Sequence, residues 1–162
     1  MSALPALQKR VVVPCTLAEL FGSFATTAGA TAFFAPRATI EPHAGGAYEL
    51  YFDEEAEPGQ QGSEGCVVKQ IDEPSLLIVS WNFPPELSRL RRERTELSLR
   101  FGEVPGEGAE VTLVHEGFRG ASDPATQAEW EQGHRYFNRV WGTVLTRLVS
   151  RWKRGPLDWS TV

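Results

Sequence analysis

The last third of the chain carries one long stripe of large apolar side chains. Between Trp130 and Trp152 these side chains recur in steps of three and four residues, and no proline interrupts the run. This spacing is typical of one buried face of a single long helix. The stripe consists of Trp130, Phe137, Val140, Trp141, Val144, Leu145, Leu148 and Trp152. A helix that buries several aromatic rings needs a large apolar partner surface, which the rest of the chain must supply.

The region between Arg37 and Phe118 is predicted to supply that surface as a sheet. Short segments of alternating apolar and polar residues follow one another there, separated by turn residues such as Gly45-Gly46 and Pro105-Gly106. Such segments are typical of antiparallel strands joined in hairpins. The predicted strands cover residues 38–40, 48–52, 66–71, 76–83, 95–101 and 110–117, and a short strand at 11–13 precedes them.

Two short helices are predicted between the first strand and the sheet. Thr16 followed by Glu19 has the spacing of a capping box, which indicates that a helix begins there. Gly22 and Gly29 weaken the apolar run that follows, so we expect two short helices with a bend between them.

The order of these elements predicts an α+β fold. A curved antiparallel sheet of six to seven strands is expected to wrap around the long C-terminal helix. That helix is predicted to begin at Asp123-Pro124 and to end at Gly155-Pro156, where a helix-stopping pair follows basic residues. Residues 1–154 are therefore expected to form a single domain, followed by a tail at residues 155–162.

Composition argues against several classes of partner. Sixteen Lys and Arg against twenty-one Asp and Glu give a net charge of -5, which repels phosphate backbones, so we expect no nucleic acid partner. We expect no membrane insertion, because no apolar run reaches about 18 residues, and no secretory signal, because residues 1–10 lack a basic start followed by an apolar run and a small-residue cleavage pattern. Cys15 and Cys66 are too few for a disulfide framework, so reduced thiols and a cytoplasmic location are expected.

A series of weak local signals extends from about Lys9 to Trp152. The series comprises Pro14 with Leu17-Ala18-Glu19-Leu20-Phe21, Phe33-Phe34-Ala35-Pro36, Gly45-Gly46, Gly65, Asp72-Glu73-Pro74 before Leu76, Trp81, His115-Glu116-Gly117-Phe118 and Gly133. In this order the chain resembles the START-like (SRPBCC) helix-grip superfamily, and within it the bacterial proteins similar to the C-terminal domain of the activator of Hsp90 ATPase. One departure is Gly133-His134, where relatives usually carry Gly-Trp in the final helix.

The resemblance implies a helix-grip fold with a hydrophobic cavity between the sheet and the C-terminal helix. It further implies a ligand-binding protein that holds an apolar or aromatic small molecule. Two alternatives stay open. Cyclase and aromatase relatives imply an enzyme that uses pocket histidines on a polyketide-like substrate, whereas the Hsp90-related proteins imply a chaperone-associated or regulatory module, with a role in stress response. A homodimer and a chaperone partner are compatible with either alternative.

His115 is the predicted polar centre of the site. Strand alternation places it on the same face as Val111 and Leu113, toward the long helix, where it either contacts a ligand or is a hydrogen-bonded core residue. His134 lies three residues before Phe137 and is expected to face the same space from the helix. The predicted ligand-binding residues are Tyr48, Phe52, Trp81, Phe83, Leu97, Leu99, Phe101, Leu113, His115, His134, Phe137 and Trp141.

No pattern in the sequence identifies a catalytic group, a metal or a cofactor. Glu131 and His134 have the spacing of a di-iron ligand pair, but such a site needs a second pair on another long helix. His115-Glu116 lacks the second histidine of a zinc protease motif. No nucleophile elbow and no dinucleotide fingerprint occur. We therefore expect a binding protein rather than an enzyme, with no metal and no cofactor.

Overall fold

The computed structural model describes residues 2–162, which form seven strands, three α-helices and one short 3-10 helix. The strands are β1 (Leu7–Val13), β2 (Arg37–Ile40), β3 (Tyr48–Tyr51), β4 (Val68–Asp72), β5 (Leu76–Trp81), β6 (Thr95–Val104) and β7 (Gly108–Glu116). The α-helices are α1 (Leu17–Ala25), α2 (Thr27–Thr31) and α3 (Pro124–Arg154), and the 3-10 helix is Trp159–Thr161.

The predicted α+β fold is confirmed, with its strands divided between two sheets. Five strands form an antiparallel sheet in the order β1-β7-β6-β5-β4, and β2 pairs with β3 in a separate hairpin. Isolated bridges from Ala47 to Val67 and from Tyr51 to Gly62 connect the hairpin to the segment before β4. Because these contacts are single bridges and the pairing register shifts after Val68, the strand predicted at 66–71 begins only at Val68.

The first strand is longer than the prediction of 11–13. β1 pairs with β7 along its whole length, from Leu7 opposite His115 to Val13 opposite Ala109. Lys9 in the first half of β1 is a residue type depleted in strands, so local propensity hid this part of the strand. Pairing with a strong neighbouring strand overrides that weak local preference.

The N-terminal helices follow the predicted capping and bend. Thr16 Oγ1 accepts a hydrogen bond from the backbone N–H of Glu19 at 3.1 Å, and the Glu19 carboxylate accepts one from the N–H of Thr16 at 2.9 Å. α2 packs so closely on α1 that a Cβ atom added to Gly29 would lie 2.0 Å from the carbonyl oxygen of Gly22. Glycine at position 29 therefore permits the tight turn between the two helices.

The long helix α3 begins and ends where the sequence predicted. Asp123 caps its first turn by accepting a hydrogen bond from the N–H of Thr126 at 2.9 Å, and the helix ends before Gly155. The stripe of apolar residues faces the sheet, where β6 and β7 present the buried residues Leu99 and Leu113 opposite each other. Between α3 and this sheet lies one continuous apolar core.

The C-terminal tail packs on the domain through two hydrogen bonds to the end of α2. The N–H of Leu157 donates to the carbonyl oxygen of Ala32 at 2.9 Å, and Trp159 Nε1–H donates to the carbonyl oxygen of Thr31 at 2.7 Å. The Arg147 guanidinium lies 5.6 Å from the centre of the Trp159 ring. These contacts attach the tail to both α2 and α3.

Candidate functional site

The interior around His115 is closely packed. The His115 side chain is fully buried, and the ring centres of Phe118 and Phe137 each lie 4.7 Å from its own. Trp141 Nε1–H donates a hydrogen bond to His115 Nδ1 at 3.0 Å, and His115 Nε2 lies 2.6 Å from Thr95 Oγ1. We refer to these five residues as the His115 cluster.

The hydrogen bonds of the His115 cluster fix the protonation state of its histidine. An indole N–H can only donate, so Nδ1 of His115 must accept and carries no proton. The neutral ring then carries its proton on Nε2, which donates to the Thr95 hydroxyl. Burial, with a smaller contribution from the nearby His134, lowers the pKa of His115 to about 3. The ring is therefore neutral near pH 7, and both of its nitrogen atoms are engaged.

Open space begins on the other side of Trp141, in a cleft along α3 that we call the α3 cleft. Its apolar half has a volume of about 240 Å³, and its polar half has a volume of about 220 Å³. Phe52, Trp81, Tyr136 and Phe137 line both halves. The apolar half is further lined by Phe34, Val140, Trp141, Thr143, Val144 and Arg147. The polar half is further lined by Asp53, Gln60, Gln61, Gly62, Asn82, Phe83, Pro84, Pro85, Glu86 and Arg91.

Stacked rings hold the wall of the apolar half in place. The rings of Phe34 and Trp81 stack with centres 5.9 Å apart, and those of Phe137 and Trp141 stack at 5.8 Å. The Trp81 and Trp141 rings lie 5.4 Å from each other and join the two pairs. Rings packed in this way lose little further freedom when a ligand binds, which favours affinity.

The loop between β3 and β4 forms the wall of the polar half around one carboxylate. Glu64 accepts hydrogen bonds from the N–H groups of Gly59 at 2.7 Å, Gln61 at 3.1 Å and Gly62 at 2.7 Å. Burial alone would raise the pKa of Glu64, but these backbone hydrogen bonds lower it overall. Arg91 donates to the carbonyl oxygen of Gly59 at 2.6 Å and lies 3.4 Å from the Glu64 carboxylate. The loop therefore has a fixed shape beside α3.

A glycine in α3 brings the segment after β5 close to the helix. A Cβ atom added to Gly133 would lie 2.6 Å from the Phe83 ring, so only glycine permits this approach. Phe83 also packs edge-to-face against Trp130 at 5.2 Å. These contacts hold Phe83, which follows β5, in the lining of the polar half.

The structure separates the predicted site residues into two groups. Five of them line the α3 cleft, namely Phe52, Trp81, Phe83, Phe137 and Trp141. Six are buried in the core away from the cleft, namely Tyr48, Leu97, Leu99, Phe101, Leu113 and His115. His134 is half-buried, and its Nε2 lies 2.8 Å from the carbonyl oxygen of Pro5 in the N-terminal segment. The two histidines therefore do not converge on the cleft.

Several lining residues were absent from the predicted set. Val140 and Val144 belong to the apolar stripe of α3, so their spacing could have included them. Phe34 and Asn82 carried no such signal, because the segment after α2 and the end of β5 reach the cleft only through the tertiary fold. Tyr136 lies beside Phe137 on the helix and extends the lining toward the solvent.

Other reactive side chains do not form a second site within residues 2–162. Burial raises the pKa of the Cys15 and Cys66 thiols to about 11, so neither is a thiolate near pH 7. In this part of the chain no three His, Cys, Asp or Glu side chains lie together as metal ligands. None of the helices described is both long enough and apolar enough to cross a membrane.

Comparisons with known proteins agree with this fold. The model of the family described as activator of Hsp90 ATPase homolog 1-like protein matches residues 14–153. The Aha1 dimer of Colwellia psychrerythraea has a TM-score of 0.66 and 14% identity, covering 94% of this chain and 98% of that one. Protein BH1534 of Bacillus halodurans has a TM-score of 0.68 and 19% identity, with coverages of 94% and 99%. CalU16 of Micromonospora echinospora has a TM-score of 0.60 and 16% identity, with coverages of 94% and 75%. No curated protein matches the sequence.

Proposed function

The chain belongs to the family of activator of Hsp90 ATPase homolog 1-like proteins, and we propose that it binds an apolar or aromatic small molecule in the α3 cleft. The observation that supports this proposal is the aromatic wall of the cleft. Trp81, Phe137 and Trp141 are almost completely buried, yet each borders open space there. Ligand sites are typically concave and mostly apolar, with a few polar groups that orient the ligand.

The size of the cleft supports a small ligand. Sites for drug-sized molecules usually measure roughly 300–1,000 Å³. Each half of the α3 cleft, at about 240 Å³ and about 220 Å³, is smaller than this range, so a ligand smaller than a typical drug molecule is expected. A molecule of one or two fused rings in the apolar half, with its polar end in the other half, suits these dimensions.

The enzyme alternative receives less support from the site. A cyclase-like mechanism would need a histidine that can exchange a proton with the ligand. His115 has both ring nitrogens engaged in the His115 cluster, and His134 is turned toward Pro5. Among the described residues that line the cleft there is no histidine. Binding without catalysis is therefore the better interpretation.

The chaperone-associated alternative depends on the surface rather than on the cleft. A docking module would be expected to expose one contiguous apolar patch. The large apolar side chains exposed in residues 2–162 are Phe52, Val67 and Val162, which are too few for an extended patch, and Phe52 borders the cleft itself. A chaperone partner, a homodimer like that of the Colwellia protein and a cytoplasmic location are compatible with ligand binding but carry none of its support.

The proposal is tested by a ¹⁵N NMR titration of the purified protein with naphthalene, which offers an apolar ring system and no polar group. We expect saturable shifts that include the indole N–H signals of Trp81 and Trp141. The same compound should raise the thermal midpoint, since a ligand that binds the folded state stabilises it by RT ln(1 + [L]/Kd).

A pair of variants locates the binding site on α3. Val140→Trp places an indole in the apolar half, whereas Asn138→Trp places the same group on an exposed part of α3 outside the cleft. Val140→Trp should weaken naphthalene binding at least about tenfold, which corresponds to roughly 1.4 kcal/mol. Asn138→Trp should bind as the wild type does. Equal binding by the two variants, or no binding by the wild type, would contradict the proposal.

A further inference from the structure

Trp81 has a hydrogen-bond donor that the protein does not use. Its side chain is 3% exposed, yet no hydrogen bond among residues 2–162 engages its indole N–H. Three other indole N–H groups do have acceptors, Trp141 with His115 at 3.0 Å, Trp152 with Ser23 Oγ at 3.0 Å and Trp159 with a backbone carbonyl at 2.7 Å. The N–H of Trp130 also has no acceptor among these residues, but Trp130 does not line the α3 cleft. Every fully buried polar side-chain atom in this part of the chain has a partner, so Trp81 Nε1 must retain some contact with open space. The space that Trp81 borders is the α3 cleft.

The neighbouring residue has the complementary atom, an unused acceptor. Asn82 is 5% exposed, and its Nδ2 donates to the carbonyl oxygens of Gly62 at 3.1 Å and Glu64 at 3.5 Å. Because only the NH₂ group of an amide can donate to a carbonyl, these two contacts fix the orientation of the side chain. Oδ1 is then directed away from them and accepts no hydrogen bond from the described residues, although Asn82 borders the polar half of the cleft.

The charges around the polar half disfavour an anionic ligand. Asp53 and Glu86 contribute two carboxylates to its lining, and Arg91 contributes the guanidinium. That guanidinium is already engaged by the carbonyl oxygen of Gly59 at 2.6 Å and by the Glu64 carboxylate at 3.4 Å. A carboxylate or phosphate placed in the polar half would meet like charge, because the other guanidinium of the cleft, that of Arg147, lines the apolar half.

We propose that the polar half of the α3 cleft selects an uncharged, hydroxylated aromatic molecule, recognised by Trp81 Nε1–H as donor and Asn82 Oδ1 as acceptor. This inference rests on the proposed binding function of the cleft and adds the class of ligand. A hydroxyl group both accepts and donates, so it can pair with either of the unused atoms. A buried donor or acceptor that a ligand leaves unpaired costs affinity, which is how such atoms discriminate between ligands.

The test uses four ligands that share one ring system. Naphthalene has no polar group, 2-methoxynaphthalene only accepts, 2-naphthol accepts and donates, and 2-naphthoate carries a negative charge. Dissociation constants are measured by NMR titration of the wild-type protein. We expect 2-naphthol to bind most tightly, about three- to tenfold more tightly than 2-methoxynaphthalene, as one net hydrogen bond predicts. 2-Naphthoate should bind more weakly than naphthalene.

A variant assigns the preference to Asn82. Asn82→Ala removes the acceptor, and Asn138→Ala removes an amide from the exposed face of α3 as the matched control. The measured quantity is the ratio of the dissociation constants for 2-methoxynaphthalene and 2-naphthol within each variant. A shift of the loop at Gly62 affects both ligands equally and cancels in that ratio. The ratio should fall to about one in Asn82→Ala and keep its wild-type value in Asn138→Ala.

The outcomes separate this inference from the function on which it rests. If naphthalene and 2-naphthol bind with equal affinity, or if 2-naphthoate binds more tightly than 2-naphthol, the selectivity inference is wrong and the cleft still binds apolar molecules. If Asn82→Ala keeps the wild-type ratio, Asn82 is not the acceptor and the inference is likewise wrong. If none of the four ligands binds, the proposed function itself fails, and the inference fails with it. If Asn82→Ala does not fold, the four dissociation constants of the wild-type protein still decide whether the cleft prefers an uncharged hydroxylated ligand.

Discussion

Two aromatic regions share Phe137 and Trp141 and differ in how their polar atoms are used. In the His115 cluster, both ring nitrogens of the histidine and the Trp141 N–H are hydrogen-bonded within the core. In the α3 cleft, the Trp81 N–H and one amide oxygen of Asn82 have no partner among the described residues. Both regions are built from large rings with centres about 5 to 6 Å apart, so ring packing alone does not distinguish them.

This difference teaches that polar atoms hydrogen-bonded within the core mark a structural region, whereas unpaired polar atoms of residues that line a cleft mark a candidate binding region. A fully buried polar group without a partner destabilises a protein by about 1–3 kcal/mol, and every fully buried polar side-chain atom in residues 2–162 has a partner. The unpaired atoms of Trp81 and Asn82 must therefore contact open space. The His115 cluster is expected to contribute to folding and the α3 cleft to binding. Substitutions in the His115 cluster should therefore change mainly the free energy of unfolding, whereas substitutions in the cleft should change mainly ligand affinity.

Phe118→Ala should have the largest effect on stability. Phe118 is almost fully buried against His115 and Phe83, and a truncated aromatic core residue typically lowers the free energy of unfolding by about 3–5 kcal/mol. Chemical denaturation measures this loss. Naphthalene affinity should stay within about twofold of the wild-type value, because Phe118 does not border the cleft. A loss of affinity larger than tenfold in a folded variant would remove the distinction between the two regions.

Acidification should destabilise the protein through the His115 cluster. The pKa of His115 is about 3 in the folded protein, because burial disfavours its charged form, and about 6.5 in the unfolded chain. The unfolded state therefore binds the proton more tightly, and this contribution to stability is present above about pH 6.5 and is lost as the pH falls toward 3. Between pH 7 and pH 5 the free energy of unfolding should fall by about 2 kcal/mol.

A variant of His115 assigns this pH dependence. His115→Gln should be less stable than the wild type at pH 7 but show a flatter decrease toward pH 5, because the buried titrating ring is gone. Denaturation curves at several pH values measure both profiles. Parallel curves for His115→Gln and the wild type would show that His115 is not the titrating group.

Thr95→Val tests the hydrogen bond on the far side of His115. Valine keeps the shape of threonine but cannot accept from His115 Nε2–H, which should cost about 1–3 kcal/mol. Thr95→Ser retains the hydroxyl and should lose less. Denaturation measures stability, and the ¹⁵N shifts of the imidazole report whether the proton stays on Nε2. If valine and serine destabilise equally, the Thr95 hydroxyl does not bind the ring.

Phe52→Ala should have the smallest effect on stability and a clear effect on binding. Phe52 is 46% exposed and borders both halves of the α3 cleft, so its removal should cost less than about 1 kcal/mol of unfolding free energy. Naphthalene should bind several-fold more weakly, because one wall of the cleft is lost. Val67→Ala, at another exposed apolar residue, should leave binding unchanged. Equal affinities in the two variants would argue that Phe52 does not contact the ligand.

The sequence predicted the framework of the fold because the framework depends on local patterns. The capping box at Thr16, the stripe along α3 and the helix end at Gly155 all rest on spacing within a few residues, and each is confirmed. The division of the strands into two sheets could not be predicted, because it follows from a bulge after Val68 and from contacts made by the loop before it.

The candidate site was predictable only in part, for a physical reason. Strand alternation identifies which residues face the helix, and on that basis it placed His115 and Leu113 inward, as observed. Alternation does not reveal whether an inward position meets open space or other side chains, since that depends on how α2 and the loop after β3 pack over the core. Asn82 follows the last residue of β5, and its side-chain orientation depends on the hydrogen bond from its amide to the carbonyl oxygen of Gly62. That contact joins segments far apart in the sequence, so strand alternation could not predict it.

Hydrogen exchange of the indole N–H protons tests the contrast between the two regions most directly. The five tryptophans give five resolvable signals, which Trp→Phe variants assign. The account predicts that the Trp141 proton, bonded to His115, exchanges only on global unfolding, whereas the Trp81 proton exchanges much faster and becomes protected when 2-naphthol is added. A Trp81 proton that is as protected as that of Trp141 without ligand, or that keeps the same exchange rate with saturating 2-naphthol, would contradict the account.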